Sequence, residues 1–304
     1  MSTLGTGRTN VRNFDENNIT EAVLERVQLA PSARMRDIST ALVRHLHAFI
    51  REIEPTFEEW EAGIRFLTEV GKLCSDTRQE FILLSDTLGA SMLVDAINHR
   101  LPKGATETTV LGPFYVENAP VRELGADISP GMAGEPLLVE GTVRAADGGP
   151  LPGAIVDVWH SDREGYYDVQ HYDAGGEVAM RARFKADADG RFWFWTIVPN
   201  FYPIPHDGPV GRMIHAQGRH PYRPAHVHFM IAAPGFQTLV THVFVEGDKY
   251  LDSDVVFGVK DSLVRKLDRR SAGTVHGRRI DRDYAVLAYD FALAPAVVKQ
   301  AVPA

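Results

Sequence analysis

Apolar residues in the first third of the chain recur at helical spacing. Across residues 36–53, Ile38, Leu42, Leu46, Phe49, Ile50 and Ile53 fall on one face of an amphipathic helix. Pro55 closes it. Thr56 with Glu59 then makes a capping box, in which each side chain bonds the other's backbone N–H. It starts a helix carrying Trp60, Ile64, Leu67 and Gly71 on one face. Thr77 with Glu80 repeats the device ahead of one more helix through Phe81, Leu84, Leu88 and Met92. A shorter helix is expected over residues 19–29. Pro102-Lys103-Gly104 breaks the pattern and marks the expected end of a helical N-terminal domain, residues 1–105.

Beyond that break the texture is that of strands. Residues 137–143 and 154–159 read as strands, and Asp187-Ala188-Asp189-Gly190 as a turn that makes a hairpin of residues 183–185 and 191–195. Phe192 and Phe194 alternate with Trp193 and Trp195, as on a strand covered on both faces. Two further strands start at Ala225 and Thr238, parted by residues 233–236. Short strands at this spacing predict an antiparallel sandwich or barrel for residues 106–304, and an α+β protein overall. The loop over residues 199–218 is too long to be a plain connection and reads as functional.

Composition changes this picture little. At 304 residues, 44% hydrophobic and 24% charged, the chain is an ordinary soluble globular protein. A net charge of −8 with no basic run argues against a nucleic-acid partner. No apolar stretch matches a membrane span, and the N-terminus has no hydrophobic signal region. The single cysteine, Cys74, lies in a helical pattern and cannot form an internal disulfide, so a cytoplasmic, reducing compartment is expected.

The chemistry starts from His226-Val227-His228. On a strand the two imidazoles share a face with one residue between them, which is half of a metal site. Val227, Phe229, Met230 and Ile231 suggest burial, and a buried polar pair needs a partner. One cysteine rules out thiolate zinc and iron–sulfur sites. Asp157, Asp162 and Asp168 are candidates for the carboxylate that non-haem Fe(II) takes with two histidines. Tyr167 and Tyr202 stand in loops, the second in a segment too proline-rich for a helix or central strand. Two phenolates with two imidazoles suit Fe(III) better than Zn(II) or Cu(I). A zinc hydrolase built on the His pair and one carboxylate is an alternative, as is a metal-free sandwich binding an aromatic or carbohydrate ligand. Both leave the tyrosines without a role.

Four stretches together, Gly112-Pro113-Phe114-Tyr115, VDVWHSDREGYYD, VPNFYPIPHDGPVG and RPAHVHFMIAAPG, resemble the intradiol ring-cleavage dioxygenases. The resemblance runs from about residue 34 to 291. It implies a helical N-terminal domain used for homodimerisation, with a lipid held at the interface, and a β-sandwich holding one non-haem Fe(III). It implies Tyr167, Tyr202, His226 and His228 as the metal ligands, Gly-x-Tyr selecting Tyr167 over Tyr166. By the same match Tyr202 leaves the metal to accept a substrate proton, and Arg223 stabilises charge developing on the substrate.

The implied substrates are an aromatic diol or triol and O₂. The stretches YPIPHDGPVG, HPYRPAHVHFMIAAPGF and LVTHVFVEGDKYLDSDVVFGVK are most similar to members that cleave hydroxyquinol, with catechol or chlorocatechol cleavage as the alternative. The implied substrate pocket comprises Leu83, Asp86, Val110, Leu111, Gly112, Pro113, Phe114, Ile204, Pro205, Arg223 and Val256, with Asp86 meeting the third hydroxyl. His242 stands where catechol-preferring relatives carry a glutamine. His45, His47 and His99 are expected on helix surfaces. His160, His171, His206, His215, His220 and His276 lack a partner at ligand spacing and are expected to stand apart from the metal.

Overall fold

A computed structural model describes residues 12–75, 78–170 and 178–296. Packing divides the chain into two units that meet at Thr68 and Glu69. In the first, α1 (Ile19–Val27) lies against α2 (Ala33–Ile53), joined by Thr20 Oγ1 and His47 Nδ1 at 2.9 Å and by Arg51 reaching the Glu16 carbonyl. Ser32 caps α2 by accepting from the Met35 N–H. The expected capping box opens α3 (Phe57–Lys72): Glu59 Oε2 accepts the Thr56 N–H at 2.8 Å, and Thr56 Oγ1 accepts the Glu59 N–H at 3.2 Å. The apolar stripes face solvent, Leu42 at 63% exposure and Trp60 at 57%.

In the second unit, one expected helix is two. α4 (Glu80–Thr87) stops and α5 (Ala90–Asn98) restarts around Gly89, whose φ of +72° is the left-handed conformation that ends helices. Periodicity alone hides this break because Leu88 and Met92 keep the helical spacing. Cys74 lies just past α3 and donates to the Val70 carbonyl, so it is a helix-end residue rather than a helical one. The Thr77 half of the second capping box lies outside the described residues, as does His171.

Two five-stranded sheets form the sandwich. One runs β3 (Arg181–Lys185), β2 (Ile155–His160), β7 (His226–Ala232), β8 (Leu239–Val245), β9 (Val264–Arg265). The other is built on β1 (Pro136–Ala145), flanked by β4 (Arg191–Ile197) on one side. On its other side β1 pairs first with β13 (Tyr284–Ala288), which β10 (Asp268–Arg270) joins, and then with β14 (Phe291–Leu293). The sheets are mixed rather than purely antiparallel, because β1 runs parallel to β13 and β14, and β8 parallel to β9. The changeover falls at Gly141, where a Cβ would collide with the carbonyl of Tyr289. Glycine is required there.

The expected hairpin of residues 183–195 is not one. Its turn is present, with Asp187 Oδ1 accepting the N–H of Asp189 at 2.9 Å and of Arg191 at 2.8 Å. Yet β3 pairs with β2 and β4 with β1, so the turn carries the chain from one sheet to the other. Phe184 and Phe194 instead stack across the sandwich, ring centres 4.9 Å apart. Phe192 and Phe194 belong to that core and Trp195 to a second cluster, so β4 is covered on both faces. Among the described residues no helix is long and apolar enough to cross a membrane.

Candidate metal centre

Alternation along β7 makes the site. Val227, Phe229 and Ile231 enter the sandwich core, which turns His226 and His228 to the sheet's outer face. His242 stands beside them, because β8 pairs it directly with His228. All three imidazoles are buried, and their ligand atoms lie within 4.8 Å of one another. Burial holds all three well below the ordinary imidazole value, with Arg223 adding to the effect on His226 and His242 and the neighbouring imidazoles doing so on His228. Neutral imidazoles keep a lone pair for a cation.

Two loops bring the tyrosines to this strand. The first leaves β2 at His160 and turns on Asp162, whose Oδ1 accepts the N–H of Glu164 and of Tyr166. It buries Tyr167 completely and leaves Tyr166 half exposed. The second delivers Tyr202 on β5 (Tyr202–Pro203), which pairs with β6 (Tyr222–Arg223) so that Tyr202 lies opposite Arg223. The loops touch at Gly165, where a Cβ would sit 2.9 Å from the Phe201 carbonyl and from Tyr202 Cβ. Ser161 bonding the Asn200 carbonyl and Asn200 bonding the Arg163 carbonyl tie them further.

The donor atoms converge. Nε2 of His226 and of His228 are 3.1 Å apart, and the Tyr167 hydroxyl is 3.0 Å from His228 Nε2. The Tyr167 and Tyr202 rings meet edge-on at 5.1 Å, and the Tyr202 ring is 5.6 Å from His226. His226 Nδ1 lies 2.6 Å from the Pro224 carbonyl, so Nδ1 carries the proton and Nε2 presents its lone pair to the centre.

This set fits a metal ion. Spacings near 3 Å are those of ligand atoms about 2 Å from one shared ion. His228 Nδ1 and His242 Nε2 are also buried without a hydrogen-bond partner, but neither is one of the four converging donor atoms. Burial, with the Tyr202 oxygen beside it, holds the Tyr167 phenol well above the usual phenol range. Only a strong neighbouring cation offsets that penalty. The three candidate carboxylates are engaged elsewhere: Asp157 by Arg183 at 3.1 Å, Asp168 by Arg181 at 2.6 Å, Asp162 by its own loop. A two-histidine, one-carboxylate site is therefore not assembled.

Around this centre the expected pocket residues are placed as follows. Phe114 stacks on Tyr167 at 4.4 Å, and a Cβ at Gly112 would lie 3.2 Å from His228 Cε1, so residues 110–114 run over the donors. Leu83 and Asp86 are buried on α4, and Ile204 and Val256 are buried on their loops. Val110 and Pro205 are half-buried, Leu111 and Pro113 more exposed. Burial raises the Asp86 carboxyl above its ordinary value, against Ser91 and Arg223. Arg219 ties the end of α4 to the Val256 loop by bonding the carbonyls of Thr87 and Val255.

Three contributors escaped the sequence reading. Asp254 holds Arg223 through Nε at 3.1 Å and Nη2 at 3.3 Å. Thr109 Oγ1 lies 2.9 Å from His242 Nδ1, and Gly258 packs beside His242, Arg223 and Asp254. An aspartate directly ahead of the apolar run Val255-Val256-Phe257 was the one available signal. The other described histidines have other partners or none of the donors: His160 meets Ser161 and Thr196, His99 Asp95, His206 the Ile204 carbonyl, His220 Ser253 and His276 Glu140.

Similarity to known proteins agrees with this geometry. A family profile described as "Dioxygenase" matches residues 110–295, and one described as "Catechol dioxygenase N terminus" matches residues 32–106. The 6-chlorohydroxyquinol 1,2-dioxygenase of Cupriavidus pinatubonensis is 53% identical, over 91% of this chain and 99% of that one. The hydroxyquinol 1,2-dioxygenase of Nocardioides simplex is 52% identical, over 92% and 96%. The crystal structure of hydroxyquinol 1,2-dioxygenase from Pseudomonas putida matches with a TM-score of 0.87 at 48% identity, covering 92% of this chain and 99% of that one. With its tyrosine loops folded onto a His-x-His strand and these matches along nearly its whole length, the chain belongs to the intradiol ring-cleavage dioxygenase family.

Proposed function

We propose that the protein opens hydroxyquinol with O₂ between its adjacent hydroxyls, giving 3-hydroxy-cis,cis-muconate, the enol form of maleylacetate. The observation that carries this reading is the meeting of Tyr167, Tyr202, His226 and His228, two phenols and two neutral imidazoles, at one buried point. These four would hold a ferric ion, which would supply Lewis acidity toward an ortho diol.

The chain's own groups do the rest. Tyr202 accepts a substrate proton at its phenol oxygen, and Arg223, its partner across the β5–β6 ladder, aims fixed positive charge at the ring as it turns ketonic. Residues 110–114, with Phe114 on Tyr167, cover the reacting edge and keep water from it. Leu83, Asp86, Ile204, Pro205 and Val256 form the walls. Asp86 accepts a hydrogen bond from the third hydroxyl, which catechol lacks.

The exposed stripes of α2 and α3 are covered by a second copy of the chain, with an acyl chain between them, because apolar faces of this extent do not stay in water. We read residues 1–105 as this dimerisation domain and 106–304 as the catalytic domain, and place the protein in the cytoplasm on its single cysteine. Oxygen uptake with hydroxyquinol, catechol and a chlorocatechol, compared on one preparation, tests the substrate assignment. Equal or better turnover of catechol rejects it.

A further inference from the structure

Arg223 is buried to 2% exposure, and its Nε and both Nη2 N–H groups have partners on Asp254 and His242. Nε reaches Asp254 Oδ1 at 3.1 Å, and Nη2 reaches Asp254 Oδ2 at 3.3 Å and His242 Nδ1 at 3.4 Å. Nη1 alone points the other way, 3.4 Å from His226 Nε2. A carboxylate gripping the Nε–Nη2 edge fixes both the plane and the direction of the guanidinium, so the free corner is set by the grip.

We propose that Asp254 is the positioning residue for Arg223, and that it works as one jaw of a clamp whose other parts are His242 and Gly258. The inference rests on the reading of Arg223 as the residue that meets charge developing on the substrate. Asp254 is itself buried and anchored, with Oδ2 accepting the Gly258 N–H at 2.9 Å and Oδ1 the Val256 N–H at 3.4 Å. One carboxylate thereby holds the guanidinium and the loop that carries a wall of the substrate pocket. At Gly258 a Cβ would lie 3.0 Å from Arg223 Nη2 and 3.2 Å from Asp254 Oδ2, so a side chain there pushes the guanidinium and the carboxylate out of place by a few tenths of an ångström. His242 closes the third side, its Nδ1 accepting from Nη2.

A displaced guanidinium corner loses its effect on the developing charge without changing which atoms bind the metal. Asp254→Asn removes the grip in nearly the same volume. In iron-loaded enzyme it lowers kcat for hydroxyquinol by about a hundredfold, the scale of a misplacement near 1 Å, with KM little changed. Iron content and the visible phenolate band of the resting enzyme stay as in wild type, which a general loss of structure would not allow. Gly258→Ala changes no charge and gives the same kcat loss, so the test survives poor folding of the asparagine variant. In an Arg223→Gln background, Asp254→Asn costs nothing further. Wild-type kcat in Asp254→Asn and Gly258→Ala, or losses that multiply with Arg223→Gln, overturn the proposal while leaving the role of Arg223 intact. Wild-type kcat in Arg223→Gln itself overturns both.

Discussion

The hydroxyl of Tyr167 lies 3.0 Å from Nε2 of His228, 61 positions further along the chain. Tyr167 is fully buried with the Tyr202 oxygen beside it, and His228 Nε2 also lies 3.1 Å from His226 Nε2. Tyr167→Phe should therefore lower iron affinity by more than the ten- to about hundredfold typical of residues behind a ligand. It should also weaken the long-wavelength phenolate band that the iron-loaded protein shows. Metal analysis after dialysis checks both, and a variant with full iron and full colour would remove Tyr167 from the ligand set.

Asp86 offers a test of selectivity. Left without its hydrogen bond, a buried acceptor costs roughly 1–3 kcal/mol, or about five- to 150-fold in kcat/KM. Asp86→Ala should narrow the preference for hydroxyquinol over catechol by that factor, mainly through slower hydroxyquinol turnover. Burial raises the Asp86 pKa, so the carboxylate is lost at a higher pH than an ordinary aspartate. The ratio of the two kcat/KM values should accordingly fall on the acid side in wild type and stay flat in Asp86→Ala. A ratio with the same acid limb in both proteins contradicts the assignment.

How much of this was legible in the sequence depended on range. The capping box at Thr56 and Glu59 and the shared face of His226 and His228 are local rules of spacing, and the structure bears them out. The break at Gly89 was missed because periodicity continues across it, while a left-handed φ is a property of one residue. The hairpin across Asp187–Gly190 was misread because a turn fixes a reversal but not which sheet receives the next strand. The parallel pairing of β1 with β13 and β14 joins residues about 150 apart and leaves no local mark. The role of Asp254 left only a faint mark for the same reason: its partner Arg223 is 31 residues away on another ladder.

His160 gives a prediction about stability. It is buried between the Ser161 carbonyl and the Thr196 hydroxyl, and burial pushes its pKa down to about 4. The unfolded chain takes up this proton below its ordinary value near 6.5, whereas the folded protein refuses it until about 4. The unfolded state thus binds more protons in that window, and stability falls as pH falls through it. From about pH 7.5 to about pH 5 the loss should be about 2 kcal/mol. Urea unfolding at the two pH values should show a shallower dependence in His160→Gln, which keeps a donor and an acceptor. An unchanged pH dependence in the variant refutes this.

The proposed dimer can be tested in solution. Leu46 on α2 and Ile64 on α3 are 48% and 50% exposed, on faces too apolar to remain in water. Sedimentation at micromolar concentration should give two chains per particle. Placing glutamate at both positions should give one, with the iron site intact. A wild-type monomer at that concentration contradicts the assembly and leaves the site chemistry untouched.

Insertion of O₂ between the adjacent hydroxyls of hydroxyquinol is read out by product analysis under ¹⁸O₂. The expected product is 3-hydroxy-cis,cis-muconate carrying both labelled oxygen atoms, since the substrate and one O₂ sum to that diacid. A semialdehyde from cleavage beside the diol, or a product with no labelled oxygen, would contradict it.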